Sequence, residues 1–364
     1  MQRLRVLILS SLWAVHSAQA AAGGYEEVLQ AAKNGEATAQ AQLGYAYASG
    51  IGVLRDFAKA AEWLQKAANQ GEANAQYNLA NLYRSGLGVP RDAITAVAWW
   101  RKAAEKGEAM AQYNLGLAYA TGEGVPKDSG LAVDWWRKAA EQGVTMAQYN
   151  LGMAHASGDG APRDARLAVN WWQKAAEQGD ALAQTKLGFS YDSGDGVAKD
   201  PARAAEWWSK AAEQGVAMAQ TAVGLAYSSG EGLPKDPAKA VGWLRKAAEQ
   251  EDASAQFSLG LAYRSGEGVA RDAQKAFEWV RKAAEQGFAL AQTKLGLLYL
   301  AGEGVPMDMV EAYAWIHLGT SKDPDAMHAR DAVEKLLSLE QREQGEARSR
   351  TLAVQIKPQN TDNQ

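Results

Sequence analysis

The sequence predicts an all-α fold, a solenoid of antiparallel helix pairs, and three observations carry that prediction. The dipeptide Ala-Gln recurs eight times at a spacing of 36 residues, beginning at Ala39, Ala75, Ala111, Ala147, Ala183, Ala219, Ala255 and Ala291, with no insertion or deletion. A fixed period in this range marks a repeat array in which each unit buries its apolar face against its neighbours. Each period holds two helical stripes separated by a Gly-rich turn, and an Asp stands at the start of every second stripe.

In chain order, residues 1–20 read as a signal peptide. Arg3 and Arg5 form a positive start, an apolar run follows from Val6 to Val15, and Ala18-Gln19-Ala20 is a small-residue cleavage site, so cleavage is expected after Ala20. Residues 21–38 are expected to hold an N-terminal capping helix, with Ala31, Ala32 and Gly35 in phase with the second helix of a repeat. The repeats occupy 39–318. C-terminal capping helices are expected over 319–356, the last opened by a capping box at Ser338 and Gln341. Residues 357–364 are polar and Pro-containing, the composition of a disordered tail.

One repeat, 111–146, shows the logic. Ala111, Leu115, Gly116 and Tyr119 form one stripe of the first helix. Gly116, with no Cβ, admits a close neighbour. Gly122 stops the helix in the left-handed conformation, and Asp128 caps the second helix. Asp200-Pro201 and Asp236-Pro237 place Pro where its missing N–H costs nothing. The second helix carries a Trp in every repeat: Trp63, Trp99, Trp135, Trp171, Trp207, Trp243, Trp279 and Trp315. These eight are expected to wedge against Ala and Gly as the structural core. A second large residue follows each, Trp in four repeats and Leu, Val or Ile in the others. Glu251 replaces the Gly that ends the second helix elsewhere, so a strained or reshaped turn is expected there.

The pattern Ala-x-x-x-x-Leu-Gly-x-x-Tyr-x-x-Gly-x-Gly-Val-x-x-Asp, followed by Ala-x-x-Trp and Lys-Ala-Ala-x-x-Gly, resembles the Sel-one-like repeat, a branch of the tetratricopeptide superfamily. It runs from about Glu27 to Trp315. The resemblance implies a right-handed α-solenoid of antiparallel helix pairs that serves as a scaffold or adaptor, and many bacterial members are exported. This chain departs in having no cysteine for the disulfide that pins some exported members, and in favouring Trp-Trp after the capping Asp.

Composition excludes several functions. With no cysteine there is neither thiol nucleophile nor Cys-ligated metal. Loss of the signal would leave 36 bases against 42 acids, a net −6, interleaved without a basic stripe, so nucleic acid is not the expected partner. No later segment is apolar enough to cross a membrane. No zinc-protease, Walker A, nucleophile-elbow or Ser-x-x-Lys pattern is present. The Gly-x-Gly pairs follow helices and recur in every repeat, which makes them turns. His155 takes a slot held by Tyr in the other repeats, and the eight Asp are caps rather than a cation array. No enzyme activity, cofactor or metal is expected.

A partner is expected on the concave face, lined by the first helices. The candidates are Tyr77, Asn78, Asn81, Arg84, Tyr113, Asn114, Leu117, Tyr149, Asn150, Met153, Phe189, Phe257 and Arg264. Aromatics and Arg anchor interfaces, and amides satisfy a peptide main chain. The expected function is an exported, non-enzymatic adaptor, periplasmic or secreted, that binds a protein or peptide segment. The alternative is a cell-wall or polysaccharide-binding module of the bacterial envelope, because exposed aromatics and amides also stack on sugars.

Overall fold

A computed structural model describes residues 24–320 and 324–356. The expected signal peptide and the tail 357–364 lie outside the described residues. Among the described residues there are nineteen helices and no strand. The chain divides into two compact units, Met1–Ala175 and Ala176–Gln364.

The first unit holds α1 (Gly24–Lys33), α2 (Ala37–Ser49), α3 (Phe57–Asn69), α4 (Ala73–Ser85), α5 (Ala93–Glu105), α6 (Ala109–Thr121), α7 (Ser129–Glu141) and α8 (Thr145–Ser157). The boundary falls inside α9 (Ala165–Glu177). The second unit continues with α10 (Ala181–Ser193), α11 (Pro201–Glu213), α12 (Ala217–Ser229), α13 (Pro237–Glu249), α14 (Ala253–Ser265), α15 (Ala273–Glu285), α16 (Ala289–Ala301), α17 (Met309–Gly319), α18 (Pro324–Glu334) and α19 (Leu339–Gln355). Within each unit successive helices pack as hairpins, α6 on α7 and α7 on α8, for example.

Local chemistry sets each hairpin. The α6 helix ends at Gly122, whose φ is 78° and whose N–H donates to the Ala118 carbonyl. The chain then turns, and the Asp128 N–H donates to the Tyr119 carbonyl at 2.9 Å. The Asp128 carboxylate accepts from the Leu131 N–H at 2.9 Å, which caps α7. All eight recurring Asp side chains accept such a bond at the start of their helices. Among the described residues the one departure from Gly at the end of the second helices of the repeats, Glu251, takes φ 65° and keeps the turn, its following N–H reaching the Ala247 carbonyl.

The invariant Gln of each Ala-Gln pair has a role that sequence did not supply. Gln112 is 5% exposed. Its Nε2 donates to the Ala104 carbonyl at 3.1 Å, and its Oε1 accepts from Gln142 at 2.8 Å. The same clamp joins Gln40 to Gln70 in the first unit, and Gln184 to Gln214, Gln220 to Gln250 and Gln256 to Gln286 in the second. These bonds tie the end of one second helix to the following first helix and to the next repeat, satisfying amides that burial would otherwise penalise.

Seven of the eight phased tryptophans correct the expectation placed on them. Trp63, Trp99, Trp135, Trp171, Trp207, Trp243 and Trp279 are half-buried, and Trp315 alone of the set is buried. Each of the seven lies under the ammonium of the Lys three residues later, at 3.9–4.1 Å from the ring. The wedge is the residue after each Trp. Leu64, Trp100, Trp172, Trp208, Leu244, Val280 and Ile316 are buried, and Trp136 is half-buried. A Cβ added at Gly116 would stand 2.5 Å from Trp136 Cδ1, so that glycine makes room for the indole. The geometry is one of side-chain direction: neighbouring helical positions lie about 100° apart, so only one of two adjacent residues faces the partner helix.

In the second unit α19 packs on α17. Its capping box is formed at Ser338 and Gln341. Arg348 Nε meets Glu311 Oε1 at 2.6 Å, Glu311 Oε2 accepts from Trp315 Nε1 at 3.1 Å, and Leu352 packs in the cluster containing Trp315.

Candidate functional site

In the first unit the face shared by α4, α6 and α8 gathers most of the predicted residues. The α4 stripe carries Tyr77, Asn81 and Arg84 at helical spacings of four and three, so all three project on one side. Tyr77, Asn78 and Asn81 are half-buried and Arg84 is exposed. Asn81 is the hub. Its Oδ1 accepts from Trp100 Nε1 at 3.2 Å and from Asn114 Nδ2 at 3.4 Å. The Asn81 and Asn114 amides also act on the Tyr77 phenol, and the Asn150 amide on that of Tyr113, each favouring the charged form. Arg84 sits 5.6 Å from the centre of the Trp100 ring.

Burial raises both the Tyr77 and the Tyr113 phenol above the ordinary tyrosine value, while their amide hydrogen bonds and the Arg84 charge pull the other way. Both stay neutral donors near pH 7. Burial also raises the Glu108 carboxyl, against the pull of hydrogen bonds from the backbone N–H groups of Ala111 and Met110. The face therefore presents phenols, amides and one guanidinium.

The other predicted residues make different contacts. Asn78 turns to its own helix, with Nδ2 donating to the Asn74 carbonyl at 2.9 Å. Leu117, Tyr149 and Met153 are half-buried. In the second unit Phe189 meets Trp208 edge-on at 5.2 Å, Phe257 meets Phe288 at 5.4 Å, and Arg264 pairs with Glu303 at 2.9 Å. Burial lowers the Lys294 ammonium there, as does the nearby Arg264 charge.

Trp100 belongs to this face and was absent from the predicted set. Two departures in one repeat marked it: Ala80 where the others carry Gly, and Asn81 where four later repeats carry Leu. Where Asn81 is replaced by Leu117, Met153 or Phe189, the corresponding indole nitrogens of Trp136, Trp172 and Trp208 are buried with no hydrogen-bond partner.

Among the described residues no group of three or more His, Cys, Asp or Glu could hold a metal ion, and no helix is long and apolar enough to cross a membrane. His155 is buried, its Nδ1 lying 3.3 Å from the Pro162 carbonyl.

The chain matches the model of the Sel1 repeat eight times, over residues 37–72, 73–108, 109–144, 145–180, 181–216, 217–252, 253–288 and 289–323. It is similar to a Sel1 repeat protein from Oxalobacter formigenes, at 34% identity with a TM-score of 0.62, covering 87% of this chain and 92% of that one. It is also similar to a protective antigen of uropathogenic Escherichia coli strains with the same repeat fold, at 32% identity and TM-score 0.56, covering 92% and 87%. Among curated proteins none matches. With its repeats, helix pairs and solved relatives in agreement, the chain belongs to the Sel1 repeat family, a helical-repeat fold of protein-interaction scaffolds.

Proposed function

We propose that this protein is an exported, non-enzymatic adaptor that binds a protein or peptide segment along the first-helix face of its first unit, the concave side of the repeat array. The observation that supports it is the cluster of Tyr77, Asn81, Trp100, Asn114, Tyr113 and Asn150, in which Asn81 accepts from Trp100 of its own repeat and from Asn114 of the next. Preorganised aromatics and amides lower the ordering cost of binding an extended segment. The Arg and Ala-rich start of the sequence supports export, as does similarity to a protein described as a protective antigen.

The polysaccharide alternative gains little from the repeated tryptophans. A Lys ammonium already covers one face of seven of them, the surface a sugar ring would need.

The test is an array of short synthetic peptides probed with the purified full chain, its triple variant Tyr77→Ala/Tyr113→Ala/Tyr149→Ala, and the gentler pair Tyr77→Phe/Tyr113→Phe. Binding by the parent that fades in both variants, at unchanged helical circular dichroism, supports the face. Equal binding by folded variants defeats it. Titration with muropeptides tests the alternative.

A further inference from the structure

The first-helix face is unusual in charge. The chain holds 42 acids and 38 bases, yet α2, α4, α6 and α8 contain no Asp or Glu, and Arg84 is their single Lys or Arg. Acids of this protein are confined to caps, loops and second helices in this unit, so the face is a neutral-to-positive strip on an acidic protein.

An internal comparison shows what Arg84 lacks. Arg264 stands 180 residues later, at the same repeat position, in the second unit. There Glu303, from the following Gly-rich loop, sits 2.9 Å from Arg264 Nε and 3.7 Å from Arg271. The corresponding residues in the first unit are Arg84, Arg91 and Glu123. Glu123 pairs with Arg91 at 2.8 Å, and no carboxylate among the described residues lies within ion-pair distance of Arg84. At the position of Trp100 the second unit has Val280. The ring gives the guanidinium a platform 5.6 Å away, which an isopropyl group cannot supply.

The charge of Arg84 acts on the phenols of Tyr77 and Tyr113, and Asn81 stands three residues before it on the same stripe. Glu108, which also acts on Tyr77, is engaged by the Ala111 N–H at the start of its own helix. The surroundings thus hold one unneutralised cation with neutral donors beside it. One guanidinium suits a single carboxylate rather than a polyanion.

Resting on the proposed peptide face, we infer that the partner segment is acidic and that Arg84, seated on Trp100 on the face that carries Tyr77 and Tyr113, receives an Asp or Glu carboxylate from it.

The experiment uses the full chain and peptide pairs, each acidic peptide printed beside its Asn/Gln isostere. Bound peptides are expected to be the acidic members. In fluorescence anisotropy, Glu→Gln in the peptide and Arg84→Gln in the protein should each weaken binding about tenfold, with little further loss when combined. Arg84→Lys should retain part of the affinity, and added salt should weaken the parent far more than Arg84→Gln. Arg137→Gln removes the same charge from α7, where Arg137 pairs with Asp134 at 3.4 Å, and should leave affinity within about twofold. Isosteres that bind as well as acidic peptides, or an Arg84→Gln variant that binds normally, overturn the inference. If such binding still depends on the Tyr77 and Tyr113 hydroxyls, the peptide face survives without it. Equal losses in Arg137→Gln and Arg84→Gln would show diffuse attraction and overturn it also. No peptide binding at all defeats the face itself, and the inference with it.

Discussion

Gln142 Nε2 donates to Gln112 Oε1 at 2.8 Å across 30 residues of chain, and also to the Gly107 carbonyl at 3.1 Å. One side chain thereby fixes the spacing between consecutive repeats. Among the described residues the bond is missing between repeats one position earlier. Lys106 occupies the position of Gln142 one repeat earlier; its ammonium turns to the Gly71 carbonyl, and Gln76 Oε1 is left buried without a partner. Lys106→Gln should restore the bond and stabilise the first unit by about 1 kcal/mol. Urea unfolding measures it, and an unchanged or lower midpoint refutes the clamp.

The buried indoles offer a coupled test. Ala80 is tolerated where Trp100 finds Asn81, whereas Gly116 faces a Trp136 that has no partner. Gly116→Ala alone should cost about 1–3 kcal/mol through overpacking. Combined with Leu117→Asn, which offers an acceptor to Trp136 Nε1, it should cost less than the sum of the two single changes. Strict additivity in thermal denaturation would show that Asn81 does not govern how Trp100 sits.

Glu251 is the one non-Gly residue among those described with a positive φ. Glu251→Gly should relieve left-handed strain and raise stability by about 1 kcal/mol, despite the greater freedom of Gly in the unfolded chain. A fall in melting temperature would mean that the Glu side chain contributes more than its backbone costs.

Adjacent tryptophans should differ. Trp100 is 3% exposed while Trp99 is half-buried beneath Lys102. Trp100→Ala should cost about 3–5 kcal/mol and Trp99→Ala about 1–2 kcal/mol. Equal losses in parallel denaturant titrations would restore the Trp99 series to the core position first expected of it.

Acid should loosen the helix starts. Backbone N–H groups of Lys59, Lys239 and Lys275 hold the Asp56, Asp236 and Asp272 carboxyls below their ordinary value; for Asp92 the Thr95 hydroxyl contributes most. Because the folded values are depressed, the unfolded chain binds more protons in the window between folded and unfolded values. The contribution is present above the unfolded value, about 4, and is lost as pH falls through the folded ones. Replacing these four Asp by Asn keeps a capping acceptor and should flatten the acid side of the melting-temperature profile. An unaltered profile would assign acid sensitivity to other groups.

The sequence alone determined the period, the helix pairs, the Asp caps and that the turn at Glu251 departs from its Gly counterparts, because each depends on residues within a few positions of one another. It also nominated Tyr77, Asn81 and Arg84 as one stripe, Tyr113 on the equivalent stripe of the next repeat, and Asn114 beside it. Only tertiary structure decided which of two adjacent tryptophans is buried, that Asn81 serves Trp100, that the recurring Gln clamps the next repeat, and that Arg84 lacks the carboxylate given to Arg264. Those outcomes rest on side chains 19 to 39 residues apart meeting through space. Helical periodicity gives the face a residue lies on, but the partner waiting there is fixed by how neighbouring helices pack.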